Sequence, residues 1–195
     1  MSEPIVNADA LAGAYLAMAR LFSYPNPVTW QRLAEHGLVD PELPREDMEA
    51  EYLAAFEVGR DTPPVPLFEG MHRGETGRDG VLEDLLRFYE FFDAELCETD
   101  REYPDHLVTE LEFLAWLCMQ EQAVEQKGGD AESFRRAERD FLPRHLAAWL
   151  PEFRHKLEAT GTAYAPYGTM LAELVDTHRG RLGHESKESG DRHEH

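Results

Sequence analysis

Tyr103-Pro-Asp-His-Leu-Val-Thr-Glu-Leu-Glu-Phe-Leu-Ala-Trp-Leu-Cys118 opens as a polar cluster and becomes, from Leu107, an apolar pattern of helical period. Leu107, Leu111, Leu114 and Cys118 recur at spacings of three and four, which places them on one face of an α-helix. Pro104 suits a helix start, where its missing N–H costs nothing, and Asp105 suits the cap or first turn, where its charge meets the helix dipole. His106 and Glu110 stand four apart, share a face and can hydrogen-bond. This helix is expected to run towards Gly128-Gly129.

Working outward, the same period returns on both sides. Before it, Leu11, Ala14, Tyr15, Met18, Leu21 and Phe22 form a stripe, with Asn7 or Asp9 as cap and Pro25 as stop. Asn26-Pro27 opens a short helix carrying Trp30, Leu33 and Ala34 and ending at Gly37. Met48, Tyr52, Ala55 and Phe56 mark a third, closed by Gly59. Val81, Leu82, Leu85, Phe88, Tyr89, Phe92 and Leu96 mark a fourth. Beyond the opening stretch, Asp130 can cap a helix with Phe134, Ala137, Phe141 and Leu142, and Pro143 predicts a kink or break inside it. Leu146, Trp149, Leu150, Phe153 and Leu157 continue to Gly161, and a last helix is expected from Pro166 to His178. Strand alternation is absent. The fold class is all-α, a single-domain bundle over residues 1–178 with a polar, aperiodic and disordered tail at 179–195.

One segment interrupts the rhythm. Between Gly59 and Gly80 lies a loop of about 20 residues, a length that is usually functional or disordered. Pro63, Pro64 and Pro66 stiffen it, and Leu67 and Phe68 give it apolar weight, so an ordered, packed loop is expected.

Composition restricts the function. Lys+Arg number 19 against 39 Asp+Glu, a net charge of −20, with Lys127, Lys156 and Lys187 the only lysines. Such a surface repels phosphate backbones and anionic membranes, so no nucleic-acid partner is expected, whereas an arginine-bearing peptide would be attracted. An acid-rich, lysine-poor chain also suits a salt-adapted host. No run approaches the length of about 18 apolar residues that a spanning helix requires. Met1-Ser2-Glu3-Pro4 lacks the basic start of a signal peptide, so the chain is expected to stay in the cytoplasm. Cys97 and Cys118 have no CxxC pattern or nearby Cys/His partner and read as reduced core thiols.

Catalytic motifs are missing. His106 and Glu110 alone supply two ligands, without HExxH or a third at a telling spacing, so no metal or resident cofactor is expected. Gly70, Gly74, Gly77 and Gly80 evoke a phosphate loop, but no Lys follows them and no strand precedes them. A nucleotide-binding enzyme using the Gly70–Gly80 loop stays an alternative, as does a generic acidic helical adaptor. His178, His184, His193 and His195 are irregularly spaced and read as part of the solvated tail.

Several segments together resemble the TorD/NarJ-like family, the nitrate-reductase delta-subunit type of redox-enzyme maturation chaperones. They are Leu16 to Pro25, Tyr52 to Phe56, Leu67-Phe68-Glu69-Gly70-Met71-His72-Arg73-Gly74-Glu75, Tyr103-Pro104-Asp105-His106-Leu107 with Glu110-Leu111-Glu112-Phe113-Leu114, and Phe141 to Trp149 with Arg144-His145-Leu146. The resemblance implies an all-helical cytoplasmic chaperone, not an enzyme. Its partner would be the catalytic apo-subunit of a molybdenum oxidoreductase, held during cofactor insertion, assembly and export. Many members recognise a twin-arginine signal or its remnant. The Leu67-Phe68-Glu69 stretch followed by His72 and Gly74-Glu75 is similar to the nitrate-reductase branch, tilting the client towards nitrate reductase or a relative acting on other oxyanions, sulfides or hydrocarbons. A paired-arginine peptide followed by an apolar run needs carboxylates beside an apolar groove. Glu69, Asp105, Glu110 and Glu112 are the expected acids and Phe68, Tyr103 and Trp116 the expected floor, with Pro104 and His106 shaping the site where the proline loop meets the helix start.

Overall fold

A computed structural model describes residues 6–59, 62–74, 78–94 and 103–191. Eight α-helices lie among them: α1 (Ala8–Leu21), α2 (Pro27–Glu35), α3 (Arg45–Tyr52), α4 (Arg78–Phe91), α5 (Leu107–Gln126), α6 (Glu132–Arg144), α7 (Leu146–Thr160) and α8 (Ala165–Asp191). The all-α class therefore holds. The described residues contain one isolated antiparallel bridge, Phe68 to His106, and no strand.

Local chemistry sets the ends. The Asn7 side chain accepts from Ala10 N at 2.8 Å, and Asn26 accepts from Thr29 N at 3.0 Å with Pro27 in the first turn, each satisfying an amide that the helix leaves without a partner. Gly161 closes α7 at φ 64°, a left-handed conformation that favours glycine.

α5 occupies the middle. Leu107, Leu111, Phe113, Leu114, Ala115, Leu117 and Cys118 are all buried, so more than the single predicted stripe is covered, as befits a helix enclosed on most sides. α1 packs along it, α6 flanks it, and α8 lies against α1, α6 and α7. Where α1, α3, α7 and α8 meet, Phe22, Phe56 and Phe153 join Tyr52 and Tyr164, with neighbouring ring centroids 5.0–6.3 Å apart.

The structure departs from the sequence reading at four places. α3 runs straight into a π-helical turn, Leu53–Glu57. α4 ends at Phe91 and the chain turns at Asp93 with φ 50°; Leu96 and Cys97 lie outside the described residues. The break expected at Pro143 falls two residues later, at His145 (φ −116°, ψ −102°), because Pro143 fits within the last turn of α6. The last helix passes its expected end at His178 and continues to Asp191, because the tail is not uniformly polar in place: Arg181 and Leu182 are buried. The helix thus runs on past residue 178, the expected limit of the bundle. His193 and His195 lie outside the described residues.

Candidate functional site

The proline loop is strapped to the start of α5. Glu69 N donates to Asp105 O at 2.9 Å and Leu107 N donates to Leu67 O at 2.8 Å, so a few residues of loop pair with the chain entering the helix. Val65 N donates to Ala55 O at 2.9 Å in the π-helical turn, and Val65 and Leu67 are buried. Over the described residues from Val65 to Glu69 the loop is packed, as its prolines and apolar residues predicted. Glu69–Met71 forms a 3-10 turn, after which His72 shares 2.7 Å with the Pro66 carbonyl and lies 5.1 Å from the Trp149 ring. Burial holds the His72 imidazole below its ordinary pKa, so the neutral ring donates Nε2–H to Pro66 and accepts from Lys156 Nζ at 3.4 Å.

Beneath the strap sit three carboxyl groups, Glu69, Asp105 and Glu110, each wholly excluded from solvent. Asp105 accepts from Gly70 N at 3.2 Å. Glu69 faces His145 Nδ1 at 2.9 Å and Arg73 Nε at 3.1 Å, and His145 Nε2 lies 3.2 Å from Asp84. Glu110 accepts from Trp149 Nε1 at 3.2 Å. Burial first, and then the neighbouring Glu69, push the Glu110 carboxyl well above the ordinary range, so it holds its proton towards Glu69. A buried acid group that is neither paired nor neutral would cost several kcal/mol; here cations, amides and a retained proton cover the group.

This changes the assignment of the expected site residues. Phe68, Glu69, Tyr103, Pro104, Asp105, His106 and Glu110 do come together, but the acids face inward and cannot meet an incoming guanidinium in this structure. The cap of α5 is His106, whose Nδ1 accepts from Val108 N at 3.2 Å, rather than Asp105. Glu110 turns to Trp149 and Glu69 instead of to His106. Pro104 is buried, its carbonyl accepting from Tyr89 OH at 2.9 Å. Phe68 stacks near Tyr103 (5.6 Å) and His106 (5.0 Å), and Tyr103 is 43% exposed, making this the solvent-facing part of the cluster.

Glu112 and Trp116 belong elsewhere. Glu112 is exposed, and Trp116 stacks on Phe113 and meets Phe134 of α6, with ring centroids 6.1 and 6.3 Å away. That side leads to a groove of about 670 Å³ between α4 and α6, with Phe88, Phe91, Phe92 and Ala137 as apolar lining and Glu132 and Asp140 among its acids. Phe91 is 80% exposed. Arg144 at its edge pairs with Asp84 and lies over the Phe88 ring. Sequence reasoning missed this groove because Phe91 falls outside the apolar stripe of α4, and an exposed aromatic leaves no periodic signal.

Among the described residues the glycine loop shows no phosphate cradle. Gly70 N is already bonded to the Asp105 carboxylate, whose charge would repel an anion there; Gly77 lies outside the described residues. Also missed were Trp149, His145, Arg73 and Asp84. The Arg144-His145-Leu146 phrase held a signal, since a histidine at a helix break has a ring free to reach a buried acid.

Residues 22–155 match the family described as nitrate reductase delta subunit. The chain is 64% identical to the selenate reductase assembly chaperone protein of Thauera selenatis over 98% of this chain and 99% of that one. It is 61% identical to the chlorate reductase assembly chaperone protein of Ideonella dechloratans, over 97% and 98%. A solved structure, a putative redox enzyme maturation protein from Archaeoglobus fulgidus, superposes with a TM-score of 0.59 at 20% identity, over 85% of this chain and 93% of that one, which supports the fold. With an all-helical bundle, a strapped proline loop and a match over most of its length, this chain belongs to the nitrate reductase delta subunit family.

Proposed function

We propose that the protein is an assembly chaperone, not a catalyst, for the catalytic subunit of a molybdenum-dependent reductase, and that its client reduces an oxyanion of the selenate or chlorate kind rather than nitrate. What supports this most is the near-full-length likeness to the two assembly chaperones above. Among the described residues no helix is long and apolar enough to cross a membrane, and we place the chaperone in the cytoplasm, where an apo-subunit awaits its cofactor.

The client surface in this reading is the solvent-facing rim, Tyr103 and Phe68, together with the groove between α4 and α6. A basic, apolar segment needs carboxylates beside an apolar floor. The groove provides Phe88, Phe91 and Phe92 as floor, edged by Asp84, Glu132 and Asp140 and equally by Arg87, Arg136 and Arg144, so its apolar floor carries the docking and Asp140 is the acid left for a basic group, while Glu69, Asp105 and Glu110 hold the strap from inside. Hot-spot aromatics typically contribute 2 kcal/mol or more, roughly thirtyfold in affinity. Phe91→Asp and Tyr103→Asp should therefore weaken capture of the co-expressed apo-subunit by about tenfold or more, compared at temperatures where each variant is fully folded, since Tyr103→Asp also loses its ring contact with Phe68. Unchanged affinity in both variants removes the surface, and failure of the wild-type chain to co-purify with the apo-subunit removes the chaperone reading.

A further inference from the structure

Past the middle of α5, away from the strap, a second buried cluster has no part in the client reading. We propose that Cys118, Glu138 and His178 form a binding site for a borderline divalent transition-metal ion, zinc foremost, at the junction of α5, α6 and α8.

The thiol sulfur, a carboxylate oxygen and an imidazole nitrogen lie within 4.8 Å of one another, and all three residues are buried. His178 Nε2 is 3.0 Å from Glu138 Oε2. Zinc binds these donors at about 2.0–2.3 Å, so tetrahedral ligands stand about 3.3–3.8 Å apart, and a contraction of about an ångström closes the set around an ion. Thiolate, carboxylate and imidazole together are the donor mixture a borderline ion takes.

The surroundings favour the same assignment. His178 Nδ1 lies 3.0 Å from Tyr15 OH on α1. If the ring donates Nδ1–H to the phenol oxygen, its Nε2 lone pair is turned to the cluster, which is how a metal-bound histidine is usually held. Glu138 Oε1 is buried and meets no N–H or O–H donor among the described residues; the Cys118 thiol is the group facing this carboxylate. Arg181 stays the partner of Glu121, with its Nη1 3.9 Å from Glu138. Thiolate and carboxylate bring two negative charges, which a divalent ion neutralises. The balance is simple: the ion replaces the thiol proton, which leaves to solvent, and the imidazole contributes a lone pair. Because the ion displaces the thiol proton, affinity rises with pH. Being sealed within the helix junction, the site loads while the chain folds.

The test uses the full chain with Cys97→Ser, His184→Asn, His193→Asn and His195→Asn, which removes the other thiol and the tail imidazoles. Refolded with Zn²⁺ or Co²⁺ and desalted, it should hold about one ion per chain. The cobalt form should show a thiolate-to-metal band and the intense d–d bands of a low-coordinate site. Cys118→Ser should abolish the thiolate band, and Glu138→Gln and His178→Gln should each weaken binding at least about tenfold, with helicity followed by circular dichroism. Should a variant not fold, X-ray absorption at the zinc edge of the parent chain decides: one sulfur at about 2.3 Å supports the site, and oxygen and nitrogen alone overturn it. A natively helical chain that retains less than about a tenth of an ion, or a thiolate band that survives Cys118→Ser, also overturns it.

Discussion

Two sealed polar clusters lie along α5, and they fasten different things. At its first turn, Glu69, Asp105 and Glu110 join a loop to the scaffold, through Arg73, His145 and the loop's own amides. Farther along, Glu121, Glu138 and His178 join helix to helix, with Tyr15 from α1, Arg135 from α6 and Arg181 from α8. The first covers its acids partly by retaining a proton, the second by importing guanidinium groups. A loop clamp can open while the bundle stays folded, whereas a junction of four helices cannot. Buried polarity of similar density thus serves local latching in one region and global cohesion in the other.

The largest effect should come from the junction. Glu121→Ala takes from Arg181, whose side chain is 6% exposed, its nearer carboxylate and leaves Glu138 at 3.9 Å; breaking such a buried pair typically costs about 3–5 kcal/mol. Chemical denaturation should show that loss across the whole transition; a loss below about 1 kcal/mol would mean the cations reach water without unfolding, and the contrast would fail. Glu69→Ala is expected to cost less, about 1–3 kcal/mol, because the strap can lift and hydrate Arg73 and His145. Hydrogen exchange should then rise over residues 62–74 and leave α6 to α8 protected. Equal deprotection of all helices would make the two clusters one cooperative unit.

How much of this could be read in advance follows from the same contrast. The strap cluster was largely legible, because the start of α5 carries its proline, acids and histidine within a few residues and the prolines announce an unusual loop. What the reading lacked was direction: spacing puts His106 and Glu110 on one face, but Trp149 and Glu69 compete for Glu110, and Val108 N takes His106. The junction was hidden. Its residues span Tyr15 to Arg181 in sequence and meet only when α1, α6 and α8 close on α5, so Cys118 showed no neighbouring His although His178 stands beside it. The helices themselves were plain from period, except where packing decides: Leu182 and Arg181 carry α8 past a tail that reads as polar, and His145, not Pro143, takes the break.

The smallest loss should follow Glu110→Gln, and it separates the latch from a client-contact role. A glutamine keeps both interactions, its carbonyl accepting from Trp149 Nε1–H and its amide donating to Glu69 as the protonated acid does. The pH dependence has a definite sign. Glu110 titrates higher in the folded chain than the ordinary 4.5, so folding takes up a proton, and its stabilising share is complete below that value. It is lost as pH rises towards the raised folded value, with a limiting slope of about 1.4 kcal/mol per pH unit. The glutamine has no proton to take up. Wild type and variant should therefore be nearly equal in stability near pH 4, with the variant gaining on wild type as pH rises through that window; a variant that instead loses ground would mean Glu110 is ionised and held by a cation. Client binding gives the second reading. A carboxylate gripping an arginine would weaken binding roughly ten- to a hundredfold on this change, whereas a sealed latch leaves the affinity where it was. Unchanged affinity together with the rising pH advantage would fix Glu110 as part of the strap's interior and leave client recognition to the rim and the groove.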